Sequence, residues 1–259
     1  MKPPVEPTMG YTGRTEREED AAVAAKVPRA ERLREVGRAF YQLARASVFA
    51  AGFGDELRWQ ADVNLDDLTA ATFLCEHAFV VCNSGMRSAV IDKLWPRLRE
   101  VFHGFQDRQL ILATRTGHRT AALRVLNSPP KIDAILKMVA LVEDTTWPIL
   151  HQAIHDGGVQ QLRQFPYMGP VIVWHLAKNI GLQVAKPDRH LVRIAQALEY
   201  GTPGTDGGRV VGNDDVQTLC AELAEASGDS IPVVDLVMWR YASTLNPAYL
   251  EQLRLPRRR

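Results

Sequence analysis

The chain has 259 residues, and nearly half of them are apolar, enough to bury a substantial core without a metal or a disulfide. Lys and Arg number 31 against 30 Asp and Glu, so the net charge of +1 excludes a global basic field as the means of finding a polyanion. Three scattered cysteines, Cys75, Cys82 and Cys220, exclude a disulfide framework and a CxxC metal site, and the absence of a leader or a long apolar run predicts a cytoplasmic protein that does not enter a membrane.

Residues 1–28, with Pro3, Pro4, Pro7, Gly10 and Gly13 in a mixed-charge run, are expected to form a flexible tail, leaving one domain over 29–259. From Arg29 to about Ala51, Leu33, Val36, Phe40, Leu43, Ala44 and Val48 recur at three- and four-residue spacing and predict an amphipathic helix. A second helix is expected after Asn64, with Asp66 and Asp67 in its first turn, running through the apolar stretch Phe73 to Val81. Cys82-Asn83-Ser84-Gly85 then breaks the pattern before a helix from Met86 to about Phe105, interrupted near Pro96.

Further helices are predicted at about 109–126, 130–142, 145–155, 158–165, 170–180, 188–199, 214–226 and 231–243, with a long loop over Gly201 to Asp215. Long alternating runs of Val, Ile and Thr are not seen, so the expected fold class is all-α. Arg254 and Arg257 to Arg259 make a small basic end that reads as a solvated tail or a phosphate contact. His151 and His155 have the helical spacing of a metal pair but no evident third ligand, so no metal is predicted.

The segment that carries chemistry runs from Leu162 to Ile194. Phe165-Pro166-Tyr167-Met168-Gly169-Pro170 reads as a tight turn between two helices, with Gly169 permitting the bend and Pro170 suited to the first position of the helix that follows. Such a hairpin offers backbone amides at a helix N-terminus, which can hold a phosphate without basic side chains. Downstream, Lys186-Pro187-Asp188-Arg189-His190-Leu191-Val192-Arg193 puts a carboxylate at the opening of another helix. By residue type alone Asp188 is a helix cap.

Together these segments resemble the helix-hairpin-helix (HhH-GPD) DNA glycosylase superfamily, which includes endonuclease III and the 8-oxoguanine glycosylases. That family's hairpin reads Leu-Pro-Gly-Val-Gly, and here Pro166 and Gly169 match while Tyr167 stands in place of the first glycine. Its aspartate follows about twenty residues later within Val-Asp-x-His-x-x-Arg; Asp188, His190 and Arg193 match, nineteen residues beyond Gly169. Phe79 to Arg87 resembles the segment with which the family probes an opened base pair, and the whole resemblance spans roughly residues 65–245.

The resemblance implies a two-lobed helical fold with a DNA cleft between the lobes, a hairpin at about 158–180, and a monomer acting on double-stranded DNA that carries a damaged or modified base. It implies that Asp188 is catalytic, stabilising the positive charge that builds on the deoxyribose as an N-glycosidic bond breaks. The helix start it occupies also favours negative charge. DNA contacts are expected from Tyr167, Met168, Gly169, Val171, His190 and Arg193. Asn83 and Ser84 are candidates for reading the extruded base or filling its gap, or else form a helix stop, and Met86 is a candidate wedge.

His175 and Asn179 fall on the face of Val171 at i+4 and i+8, and are further candidates for the base pocket. Bifunctional relatives place a nucleophilic lysine where this chain has Val171, and neither Lys178 nor Lys186 occupies that position, so hydrolysis by water with little or no lyase activity is expected. No C-terminal four-cysteine cluster is present, so no iron-sulfur cofactor is expected, while a monovalent ion at the hairpin fits the resemblance. Asp235 is a weaker catalytic candidate. Two alternatives stay open: excision of enzymatically modified bases from bacteriophage DNA as a defence, and a noncatalytic DNA-binding module.

Overall fold

A computed structural model describes residues 28–205 and 208–253; the sequence-predicted N-terminal tail and the arginines at 254 and 257–259 lie outside the described residues. The described chain is helical, with a single two-residue antiparallel pairing of Thr202–Pro203 with Arg209–Val210 inside the predicted long loop. No described helix is long and apolar enough to cross a membrane.

In chain order the helices are α1 (Arg29–Val48), α2 (Gly54–Asp62), α3 (Ala70–Asn83), α4 (Ser88–Val101), α5 (Arg108–Ala113), α6 (Arg115–Val125), α7 (Pro129–Thr145), α8 (Trp147–Leu162), α9 (Ile172–Asn179), α10 (Arg189–Ala197), α11 (Asn213–Ser227) and α12 (Ile231–Arg240). Several boundaries correct the sequence reading. Asp66 and Asp67 do not open α3; they belong to a separate 3-10 turn capped by Asn64, and α3 starts four residues beyond Asp66 behind Thr69, whose hydroxyl accepts the Thr72 amide at 3.1 Å. Helix α4 runs through Pro96 without a break. The predicted helix at 109–126 is split at Thr114. The break expected between the segments at 145–155 and 158–165 is present as a kink at Gly158, whose φ of +50° and ψ of −132° are not helical, within the range assigned to α8. Helix α2 has no counterpart in the sequence reading.

Buried apolar side chains form two clusters. One is built from residues 65–180 and contains Phe73, which meets Trp147 and Phe165 at ring distances of 5.3 and 5.7 Å. The other unites α1 and α2 with the chain from Ala185 onward, around Phe40, Tyr41, Ile194, Leu219 and Val237. The chain passes from the first cluster to the second through Gly181. There φ is +97°, and a β-carbon would stand 2.6 Å from the Leu65 amide nitrogen, so only glycine fits. Where the clusters meet, the Lys178 ammonium on α9 and the Asp235 carboxylate on α12 form a buried pair at 2.6 Å.

Candidate active site

A cavity of about 700 Å³ opens between the elements of the two clusters. That size falls within the range of small-molecule clefts. Helices α3, α4 and α9 contribute lining residues from the elements of the first cluster; α2, the residue that caps α10 and the end of α12 contribute them from the second. Three of the chain's five tryptophans, Trp59, Trp95 and Trp239, line it with Phe79.

Asp188 lines this cavity and also caps α10. Its Oδ1 accepts both the His190 amide at 2.8 Å and the Leu191 amide at 3.1 Å, while Oδ2 accepts no hydrogen bond among the described residues. The two readings of its residue type therefore coexist: one oxygen fixes the helix end, and the carboxylate is held rigidly with its second oxygen uncommitted. Asp235, the weaker candidate, spends both oxygens inside the protein. Oδ1 takes Lys178 Nζ at 2.6 Å and Oδ2 takes the Lys186 backbone amide at 2.6 Å. Its work is to anchor the strand of chain that leads to Asp188.

The helical face predicted from Val171 is realised, since Val171, His175 and Asn179 all line the cavity. His175 packs edge-on against Phe79 at a ring distance of 6.4 Å, and burial, aided by the charges of Lys186 and Lys178, holds its imidazole neutral well below the usual histidine range. Asn83 and Ser84 also line the cavity, with Gly85 and Met86 beside them. The turn is pinned by Lys131, whose buried ammonium donates to the Cys82 carbonyl at 2.8 Å and the Ser84 carbonyl at 2.6 Å, closing the C-terminal end of α3.

At the hairpin, the left-handed residue is Tyr167, at φ +70°, and Gly169 is not in that region. The expectation that Gly169 supplies the sharp bend is thereby corrected: the bend sits where the resembled family has its first glycine, and a half-exposed tyrosine adopts it. Met168 is buried, and its amide donates to the Phe165 carbonyl at 3.2 Å, while the Gly169 amide donates to the Tyr167 carbonyl at 3.0 Å. Neither is free to meet a phosphate. At the start of α9 the Val171 and Ile172 amides have no backbone acceptor among the described residues.

The hairpin is tied to α3 by His77. Its Nε2–H donates to the Pro166 carbonyl at 3.0 Å, and complete burial lowers the imidazole to about 4, so the ring stays neutral. His190, expected at a phosphate, is instead buried away from the cavity, with Nε2 accepting from Arg189 Nε and Nδ1 bonded to the Tyr249 hydroxyl, both at 3.3 Å. It packs α10 against the C-terminal turn. Arg193 is exposed on the same helix. His151 Nε2–H donates to the Leu65 carbonyl at 2.8 Å, and no group of three metal-ligating side chains occurs among the described residues.

Sequence reasoning missed Glu76, Gln60, Trp59, Trp95, Trp239 and the rim pair Arg240–Glu56. Arg240 makes a two-pronged contact with Glu56 at 2.8 and 2.7 Å and lies over the rings of Phe53 and Trp239 at 4.6 and 4.9 Å. Lys186 lines the cavity without an ion pair among the described residues; burial and the neighbouring Lys178 charge lower its ammonium, against the opposing pull of Asp188 and Asp235. Compared with protein-family models, curated proteins and solved structures, the chain matches none of them.

Proposed function

We propose that this protein is a DNA glycosylase that draws a damaged or modified base out of the duplex into the cavity and hydrolyses its N-glycosidic bond with water. The observation that carries this reading is the position of Asp188 in a cavity walled by Trp59, Phe79, Trp95 and Trp239. An extruded base is held by stacking and by polar groups at its edge, and the sugar it leaves behind develops positive charge at its anomeric carbon. A carboxylate fixed by two backbone amides, with one oxygen uncommitted, stabilises that charge without having to reorganise.

In this scheme the bond between the anomeric carbon and the base nitrogen breaks with its electron pair going to the base. Water then bonds to that carbon and gives up a proton to Asp188. The Val171 and Ile172 amides and the Tyr167 ring hold the sugar-phosphate strand beside the cavity, with Arg193 contacting it further along α10; the two-lobed helix-hairpin-helix arrangement is the fold this reading requires. The test is a panel of duplex oligonucleotides bearing different modified bases, incubated with the protein and then with alkali. Base loss that disappears in Asp188→Asn, with strand breaks only after alkali, is the expected result. Retention of DNA binding with no base loss from any duplex would leave only a binding module. Scission without alkali that borohydride traps would assign the chemistry to an amine, for which Lys186 is the cavity lysine free of an ion pair.

A further inference from the structure

Among the carboxyls that line the cavity, Glu76 is one that hydrolysis by Asp188 does not use. Glu76 lies on α3, one turn before Val80 and two before Asn83, which line the same wall. Its Oε2 accepts Asn179 Nδ2 from α9 at 2.9 Å. Oε1 has no partner among the described residues. The other charged groups at this cavity are the Lys178, Lys186 and Arg240 cations and the Glu56, Asp92, Asp188 and Asp235 carboxylates, and none of the cations forms an ion pair with Glu76. His175, the remaining titratable group of the wall, is neutral.

A carboxyl without a cation, in an aromatic-walled space, retains its proton to higher pH than one in water. Burial pushes Glu76 up to about 7, with the Asn179 hydrogen bond working in the opposite direction. Because the Asn179 amide donates to Oε2, the proton belongs on Oε1, the oxygen left without a protein partner. Two of the cavity's carboxyls are thus set to different tasks by their surroundings: Asp188 is bonded by two amides, and Glu76 is desolvated.

We propose that Glu76 is the acid that protonates the departing base, and that the substrate is accordingly an electrically neutral base and not a cationic, ring-alkylated one. This rests on the glycosylase reading. As the glycosidic bond breaks, the Oε1 proton passes to an acceptor nitrogen or oxygen of the base, which leaves as a neutral molecule, and Glu76 becomes a carboxylate. The proton that water releases to Asp188 returns to Glu76 through solvent, so the cycle closes with one water consumed. A base that already carries a positive charge leaves without an acid and draws no benefit from Glu76.

The experiment is single-turnover base release by the full chain from duplexes carrying a neutral modified base, such as hypoxanthine, 8-oxoguanine or 5-hydroxymethyluracil, and from one carrying cationic 7-methylguanine, over pH 5.5–9. Release of at least one neutral base should fall as pH rises through about 7. Glu76→Gln, which can still accept from Asn179, should lower that rate by about a hundredfold or more and remove the alkaline limb. Asn179→Ala removes the bond that lowers Glu76, so its alkaline limb should move to higher pH, a shift that a merely structural role would not produce. Wild-type rates and an unchanged limb in Glu76→Gln, an unmoved limb in Asn179→Ala, or release of 7-methylguanine alone, would overturn the proposal while leaving the glycosylase reading standing. Release of no base at all overturns both.

Discussion

Lys178 on α9 and Asp235 on α12 face each other at 2.6 Å in the interior that joins the two apolar clusters, and the same carboxylate receives the Lys186 amide through its other oxygen. One side chain from the C-terminal part of the fold therefore fixes both α9, which carries His175 and Asn179, and the segment that delivers Asp188. Removing one partner of such a pair leaves an uncompensated buried charge, which costs about 3–5 kcal/mol. Lys178→Met and Asp235→Asn are each expected to lower the urea unfolding free energy by that order. The double variant removes both charges while the asparagine oxygen still accepts the Lys186 amide, and it should be more stable than either single one. Additive losses in the double variant would show that the pair is not coupled.

Asp188 combines a cap with a free carboxylate oxygen, and the two roles separate by substitution. Asparagine is as good a cap as aspartate, so Asp188→Asn should melt within a degree or two of the wild type. Alanine leaves the His190 and Leu191 amides without their acceptor and should cost about 1 kcal/mol, a few degrees for a chain of this size. Both variants should be inactive in base release. Full activity in Asp188→Asn would reduce the residue to its cap.

Glu76 and His77 are neighbours on α3 whose burial works in opposite directions on stability. Glu76 is raised from 4.5 to about 7 in the folded chain, so its contribution is fully present below 4.5 and is lost as pH rises through 7. His77 is lowered from 6.5 to about 4, so its contribution is present above 6.5 and is lost as pH falls through 4. His175, lowered well below 6.5, acts in the sense of His77. Glu76→Gln removes only the first effect. Its unfolding free energy should gain on that of the wild type by about 1.4 kcal/mol for each pH unit between 4.5 and 7, on the order of 3 kcal/mol in all. Denaturant titrations at a series of pH values check this, and parallel curves for the two proteins would contradict it.

Part of this site is legible in the sequence because one regular element carries it. Once Val171 is set facing the site, the helical period brings His175 and Asn179 to the same wall, and all three line the cavity. Asp188 and the turn at Asn83 and Ser84 stand out as breaks in periodic segments. The residues missed by sequence reasoning come from α2, the middle of α3, α4 and the end of α12, which meet only through tertiary packing. Helix α3 is apolar on nearly every side, so its pattern names no cavity-facing stripe; the polar pair Glu76 and His77 inside it was the available signal. Lys131 and His190 show the converse. Their identities suggest surface chemistry, but one closes a helix end and the other packs against Tyr249. Glycine is the residue at home in a left-handed turn, so the sequence points to Gly169 for the hairpin bend, whereas the turn imposes that conformation on Tyr167.

That strained tyrosine yields the last prediction. A bulky residue at φ +70° carries a cost of about 1–2 kcal/mol that glycine escapes. Glycine in turn enlarges the freedom of the unfolded chain by a comparable amount and gives up what packing a half-exposed ring makes. Tyr167→Gly should therefore be close to neutral in stability, whereas Tyr167→Val, whose branched side chain tolerates this conformation worst, should lose more than 1 kcal/mol. If the ring is there to lie against the DNA strand, Tyr167→Gly should weaken duplex binding without altering its dependence on salt, because no charge has been removed. Arg193→Ala should weaken binding and also reduce the slope of log affinity against log salt by about one. Fluorescence anisotropy at several salt concentrations distinguishes the two. Wild-type affinity in Tyr167→Gly would mean that the residue at the bend makes no contact, and an unchanged salt slope in Arg193→Ala would take α10 off the phosphate backbone.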